Sequence, residues 1–178
     1  MAACTPLPPP PPEGASYSIR CPVNGRVSFT NDWHAPRAGG NVHEGNDVFG
    51  PRGTPAVAVV SGVAKWRVGA RSGLAAWLEG DDGNDYFYAH FDARQGEERR
   101  VVAGEVIGYV GTTGDAVGTS PHTHFEIHPD GGAAVNPFPS LVTACPDRAG
   151  VSAASASDGD VPASDGDVSS ASDDGLER

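Results

Sequence analysis

An all-β fold is predicted for this chain, a compact two-layer antiparallel β-sandwich or barrel-sandwich hybrid with short strands and long loops. Three observations predict it. Glycine occurs 24 times and proline 16 times in 178 residues, and both residues interrupt helices and punctuate turns. Long-chain helix formers are sparse, lysine, glutamine and methionine occurring once each, so little of the chain favours helix. Short apolar runs end at glycine: Val57, Val59 and Val63 bracket Gly62, while Val106, Ile107, Tyr109 and Val110 precede a Gly-Thr-Thr-Gly turn. Such runs read as strands of a few residues each.

From the N-terminus, residues 1–16 read as a spacer, because Pro6 to Pro12 is an almost unbroken proline tract that favours stiff polyproline conformation. Residues 17–148 carry the strand-like runs and are long enough for one domain with a core. From residue 149 to 178 the chain turns Ser/Ala/Asp-rich and nearly repeats itself, Ala156-Ser-Asp-Gly-Asp-Val161 being echoed by Ala163-Ser-Asp-Gly-Asp-Val168. That segment has too little apolar surface to offset its ordering entropy, so a disordered acidic tail is expected. Its Asp-Gly-Asp words lack the full ligand series and closing glutamate of a calcium loop.

The formal charge of -11 disfavours nucleic acid as a partner, since phosphate binding needs a cationic surface. The absence of a long apolar run argues against a transmembrane helix. Cys21 and Cys145 lie just inside the two ends of the expected domain, where a disulfide would close nearly the whole domain as one loop. Cys4 is then the odd cysteine. Met-Ala-Ala-Cys4 before a spacer resembles the acylation site of a bacterial lipoprotein, a possible lipid anchor, although no basic start or apolar stretch precedes it. Both cysteine readings point outside the cytoplasm, and a monomer is expected.

Two short words carry the chemistry. They are His43-Glu-Gly-Asn-Asp47 and Ser120-Pro-His122-Thr-His124-Phe-Glu126. A catalytic zinc takes three protein ligands from His and carboxylate and leaves a position open for water. His43, Asp47 and His124 could be those ligands, with His122 left for proton transfer. Residues two or four apart share a strand face, which His122/His124 and His43/Asp47 satisfy. Gly45 and Asn46 argue that the first word is a loop entering a strand.

Five words in the same order resemble the lysostaphin-type zinc endopeptidases, the LytM family. They are the His43 word, Gly53-Thr-Pro-Ala-Val-Ala-Val-Val-Ser-Gly62-Val, Tyr86-Phe-Tyr-Ala-His90-Phe, Val102-Ala-Gly-Glu-Val-Ile-Gly108-Tyr-Val-Gly-Thr-Thr-Gly114 and the His122 word. The resemblance implies one Zn2+ held by His43, Asp47 and His124, and hydrolysis of peptidoglycan stem peptides or cross-bridges. It also adds His90 as a second catalytic histidine beside His122, which would act as general base. His90 would stabilise the oxyanion or protonate the leaving amine. Strand alternation would put Tyr86, Tyr88 and His90 on one face, where His90 can face a cleft, with Phe87 and Phe91 on the other, facing a core.

Several positions depart from the family pattern. Thr123 stands where leucine is usual, and Asp115-Ala-Val-Gly-Thr119 replaces a common Ser-Thr-Gly form. His34 stands where many members have glycine and reads as a surface loop residue. His128, just before Pro129-Asp-Gly, reads as a strand cap in solvent, and Glu126 shares the parity of His124 and could orient it. A non-catalytic cell-wall-binding or hydrolase-regulating module on the same fold is the alternative, but such modules usually lose ligands, and here none is missing. A lipoyl-type carrier would need a lysine at a hairpin tip, whereas Lys65, the only lysine, sits inside a strand word.

Overall fold

The computed structural model describes residue 12 and residues 14–146. Cys4, nearly all of the proline tract and the acidic tail lie outside the described residues. Among the described residues nine strands form: β1 (Asn46–Phe49), β2 (Pro55–Val57), β3 (Gly62–Gly69), β4 (Gly73–Gly80), β5 (Asp85–Phe91), β6 (Ala93–Arg94), β7 (Arg99–Val101), β8 (Val106–Tyr109) and β9 (His122–His128). One short helix, α1 (Phe138–Ala144), follows them. The strands make a six-stranded sheet in the order β1-β9-β5-β4-β3-β7 and a three-stranded sheet in the order β2-β8-β6. Every pairing is antiparallel, as the sequence predicts.

The core forms between the sheets. Leu78, Tyr86, Tyr88, Phe125 and Ile127 of the large sheet are fully buried and cluster with Ala56 and Ile107 of the small one. Burying each large side chain contributes about 1.5–3 kcal/mol. Polar atoms that enter the core are paired across it: the Tyr88 hydroxyl donates to the Val57 carbonyl and accepts from the Val59 N–H, both at 3.1 Å. The Trp66 indole N–H donates to the Ile107 carbonyl at 2.9 Å. Thr123 is buried on the inner face of β9, and its hydroxyl finds no partner among the described residues.

Cys21 is disulfide-bonded to Cys145 just beyond α1, with Cα atoms 4.9 Å apart. The Tyr17 N–H donates to the Ser140 hydroxyl at 2.8 Å, a second tie between the ends of the folded unit.

The face assignment in β5 differs from simple alternation. Tyr86, Tyr88 and Phe91 all enter the core, while Phe87 is only half-buried on the opposite face. The cause is a bulge: the β4–β5 register skips from Leu74↔Phe91 to Ala76↔Tyr88, so Ala89 and His90 together oppose Ala75. One extra residue reverses the parity beyond it. His90 therefore leaves the core face, at φ 69°, and Phe91 takes its place in the core.

Candidate metal centre

The site lies where β1 and β9 pair. Asp47 is directly opposite His124 and Phe49 opposite His122, so these four side chains share the outer face of the large sheet. His43 approaches from the loop before β1. Gly45 lets that loop lie against the ring: a Cβ there would sit 2.7 Å from His124 Cε1 and 2.5 Å from the Phe125 carbonyl oxygen. One donor atom each from His43, Asp47 and His124 falls within 4.8 Å of the others. His43 Nε2 is 2.8 Å from His124 Nδ1, and Asp47 Oδ1 is 3.1 Å from the first and 3.2 Å from the second.

The outward nitrogens are committed elsewhere. His43 Nδ1 faces the Asp32 carbonyl at 3.0 Å and the Asp32 carboxylate at 3.3 Å. His124 Nε2 faces Glu126 Oε1 at 2.7 Å. These partners only accept, so each outward nitrogen carries the hydrogen and the inward one presents its lone pair. Two inward lone pairs and a carboxylate oxygen cannot converge without a positive charge between them. The electrostatics agree. Burial opposes charge on His43, yet hydrogen bonds to Asp32 and Asp47 outweigh it and lift its pKa to about 9. Asp47, also buried, is held far below the usual carboxylate range by His124 and His43. Two ring nitrogens and a carboxylate oxygen gathered on one point, with both rings fixed from behind, are a donor set that fits a divalent cation.

His122 and His90 complete the outer face. The His122 Nδ1–H donates to the Ser120 carbonyl at 2.8 Å, and its Nε2 lies 3.8 Å from Asp47 Oδ1. The His90 Nδ1–H donates to the Thr113 carbonyl at 2.9 Å, and burial lowers the basicity of its ring. The two rings meet edge to face with centroids 5.0 Å apart. All five residues that the sequence singles out are thus brought together. All four imidazoles are anchored through one nitrogen; His43, His124 and His122 turn the other toward Asp47, while His90 Nε2 lies 3.8 Å from Asp115 Oδ1.

Several contributing residues escape sequence reasoning. Asp32 accepts from Asn46 Nδ2 as well as facing His43. Arg37 Nη2 donates to Asp47 Oδ2 at 2.8 Å, which leaves Oδ1 for the cluster. Neither has a spacing signal, because both lie in the irregular segment before the first word. His34 is exposed at φ 58°, a conformation that suits glycine, and it stacks on Trp33. His128 is not a solvent cap. It is half-buried, donates to Glu126 Oε2 at 2.6 Å and packs on Trp77 at 4.9 Å. A hollow of about 280 Å³ is lined by Phe49 and Pro121 and another of about 390 Å³ by Trp77, Lys65 and His128, and none of the five site residues lines either.

The fold and this site are together those of a metallopeptidase. Residues 41–137 match peptidase family M23, and the chain belongs to that family. Among characterised relatives, the DD-carboxypeptidase/endopeptidase Mpg of Neisseria meningitidis is 39% identical over 98 residues, which cover 54% of this chain and 22% of that one. The L-Ala--D-Glu endopeptidase of Bacillus subtilis is 30% identical over 148 residues, 70% of this chain and 43% of that one. This chain therefore spans less than half the length of either relative. Among solved structures, the antimicrobial peptidase lysostaphin from Staphylococcus simulans superposes with a TM-score of 0.57 at 27% identity, covering 79% of this chain and 61% of that one.

Proposed function

We propose that this chain is a zinc-dependent endopeptidase that hydrolyses peptide cross-links of bacterial peptidoglycan outside the cytoplasm. The observation that carries the reading is the convergence of His43, Asp47 and His124 on one point, with two more histidines turned toward it. The names of the characterised relatives, both endopeptidases, support the substrate class.

His43 Nε2, Asp47 Oδ1 and His124 Nδ1 would hold the ion. When bound, zinc supplies a Lewis acid that polarises a peptide carbonyl and acidifies water. His122, its Nδ1–H fixed on Ser120, offers the Nε2 lone pair and takes the proton of the attacking water. Burial lowers the basicity of His90, whose Nε2 lies 3.8 Å from Asp115 Oδ1, so it serves the acyl oxygen or the leaving nitrogen only after receiving a proton. The His122–His90 contact places such a proton beside it. The C–N bond then breaks and the proton leaves on the amine, which balances the hydrolysis.

The test separates holding the metal from using it. His124→Ala should lose stoichiometric zinc by metal analysis, whereas His122→Ala should keep zinc and lose release of new amino termini from purified peptidoglycan. A wild-type protein without zinc, or a His122→Ala variant with full activity, would overturn the reading. Mass spectrometry of the released ends identifies the bond.

A further inference from the structure

We propose that His128, acting through Glu126, is a positioning residue for the metal centre: the pair fixes the His124 ring so that Nδ1, and not Nε2, is presented to the ion. The inference rests on the metal reading above. Residues 124, 126 and 128 alternate along β9 and so stand on the same outer face. Same-face neighbours in a strand are about 6.5–7 Å apart, a gap that a carboxylate can bridge between two rings. Glu126 does so with both oxygens. Oε1 accepts from His124 Nε2 at 2.7 Å and Oε2 accepts from His128 Nε2 at 2.6 Å. The far end is anchored in turn, since His128 Nδ1 donates to the Gly132 carbonyl at 2.9 Å and its ring packs on Trp77. The relay therefore runs from a backbone carbonyl in the turn after β9 to the inward face of a ligand ring.

A carboxylate alone could swing with the ring it serves. Held by His128, Glu126 has one orientation, and the ring that donates to it has one as well. A histidine whose outward nitrogen lacks such a partner can rotate about its ring axis and offer either nitrogen. Loss of this kind of partner typically lowers metal affinity by about 10–100-fold.

The test uses the zinc-loaded full chain and its Glu126→Ala, Glu126→Gln and His128→Phe variants. Phenylalanine keeps the packing on Trp77 and removes both N–H groups. Chelator competition should show zinc affinity about 10–100-fold weaker in Glu126→Ala, with His128→Phe weakened in the same direction but less. Glu126→Gln should restore part of the loss, because its amide oxygen still accepts from His124. Nitrogen-15 spectra of the histidine rings should show single Nδ1 ligation by His124 in the wild type and a mixture in Glu126→Ala. A merely structural network would lower the melting temperature of the metal-free variants and leave zinc affinity and ligation unchanged, and that result overturns the inference. Should Glu126→Ala not fold, Glu126→Gln and His128→Phe carry the same decision. A wild type that takes up no zinc removes the metal reading and this inference together; a wild type that binds with variants that bind equally removes only this inference.

Discussion

At the level of single residues, the centre is governed by where protons sit. In the metal-free protein the His43 pKa is raised to about 9, its hydrogen bonds to Asp32 and Asp47 overcoming burial. An ion must therefore displace a proton at neutral pH, and apparent zinc affinity should rise about tenfold per pH unit until the pH passes that value. The sign is fixed by the direction of the shift: below pH 9 protons compete with zinc, and above it they no longer do. Chelator competition across the range from about pH 6 to pH 10 measures the slope, and a flat profile below pH 9 would contradict it. Gly45 sets a second condition. A Cβ at that position would lie 2.8 Å from His124 Nε2 and 2.5 Å from the Phe125 carbonyl, and neither the ring nor the strand backbone can yield without shifting a ligand. Gly45→Ala should weaken zinc binding and lower peptidase activity on the order of 100-fold, the usual cost of a misplacement near 1 Å. Isothermal titration with zinc and an amine-release assay check the two effects.

At the level of strands and turns, the bulge in β5 decides which aromatic residues are core and which ring faces the site. It is stabilised from outside the strand. The Thr113 hydroxyl accepts from the Leu74 N–H at 3.0 Å and donates to the Phe91 carbonyl at 2.8 Å, while the Thr113 carbonyl holds His90. Thr113→Val removes both hydroxyl bonds at constant shape and should destabilise the fold by about 1–3 kcal/mol. It should lower activity through His90 and leave zinc content unchanged, because Asp47 and His124 come from β1 and β9 and His43 from the loop before β1. Urea denaturation and metal analysis on one preparation separate these outcomes. This element also marks how far the sequence can be read. Strict alternation in Tyr86-Phe-Tyr-Ala-His90-Phe predicts His90 beside Tyr88, yet the structure sets them on opposite faces. Period-2 reasoning cannot place an inserted residue, since the bulge depends on a turn more than 20 residues away in sequence. By contrast, Asp47, His122 and His124 are legible, because β1 and β9 are regular where they pair and alternation holds; His43 lies in the loop before β1, as Gly45 and Asn46 suggest, and is legible from its spacing to Asp47 and not from strand parity. His128 is illegible for a different reason: the Pro129-Asp-Gly turn signals the end of a strand but says nothing about Glu126 reaching the ring.

At the level of the whole molecule, the two ends of the folded unit close on each other while the proposed ligands sit elsewhere, in β1, β9 and the loop before β1. The Cys21–Cys145 bond spans 124 residues, so it removes a large loop-closure entropy from the unfolded chain and should stabilise the fold by about 3–5 kcal/mol. Its effect belongs to the unfolded state and not to the site geometry, because neither cysteine lies in a strand that carries a ligand. Cys145→Ser should therefore lower the melting temperature markedly while the zinc affinity of the folded fraction at 25 °C stays within about twofold of the wild type. The sequence contains three cysteines, so denatured protein should show no more than one reactive thiol before reduction and three after it. Three thiols before reduction would remove the bridge. A variant that melts lower and also loses zinc would show instead that the closed ends transmit strain to β1 and β9, and the division between a closed scaffold and an independently held centre would then be wrong.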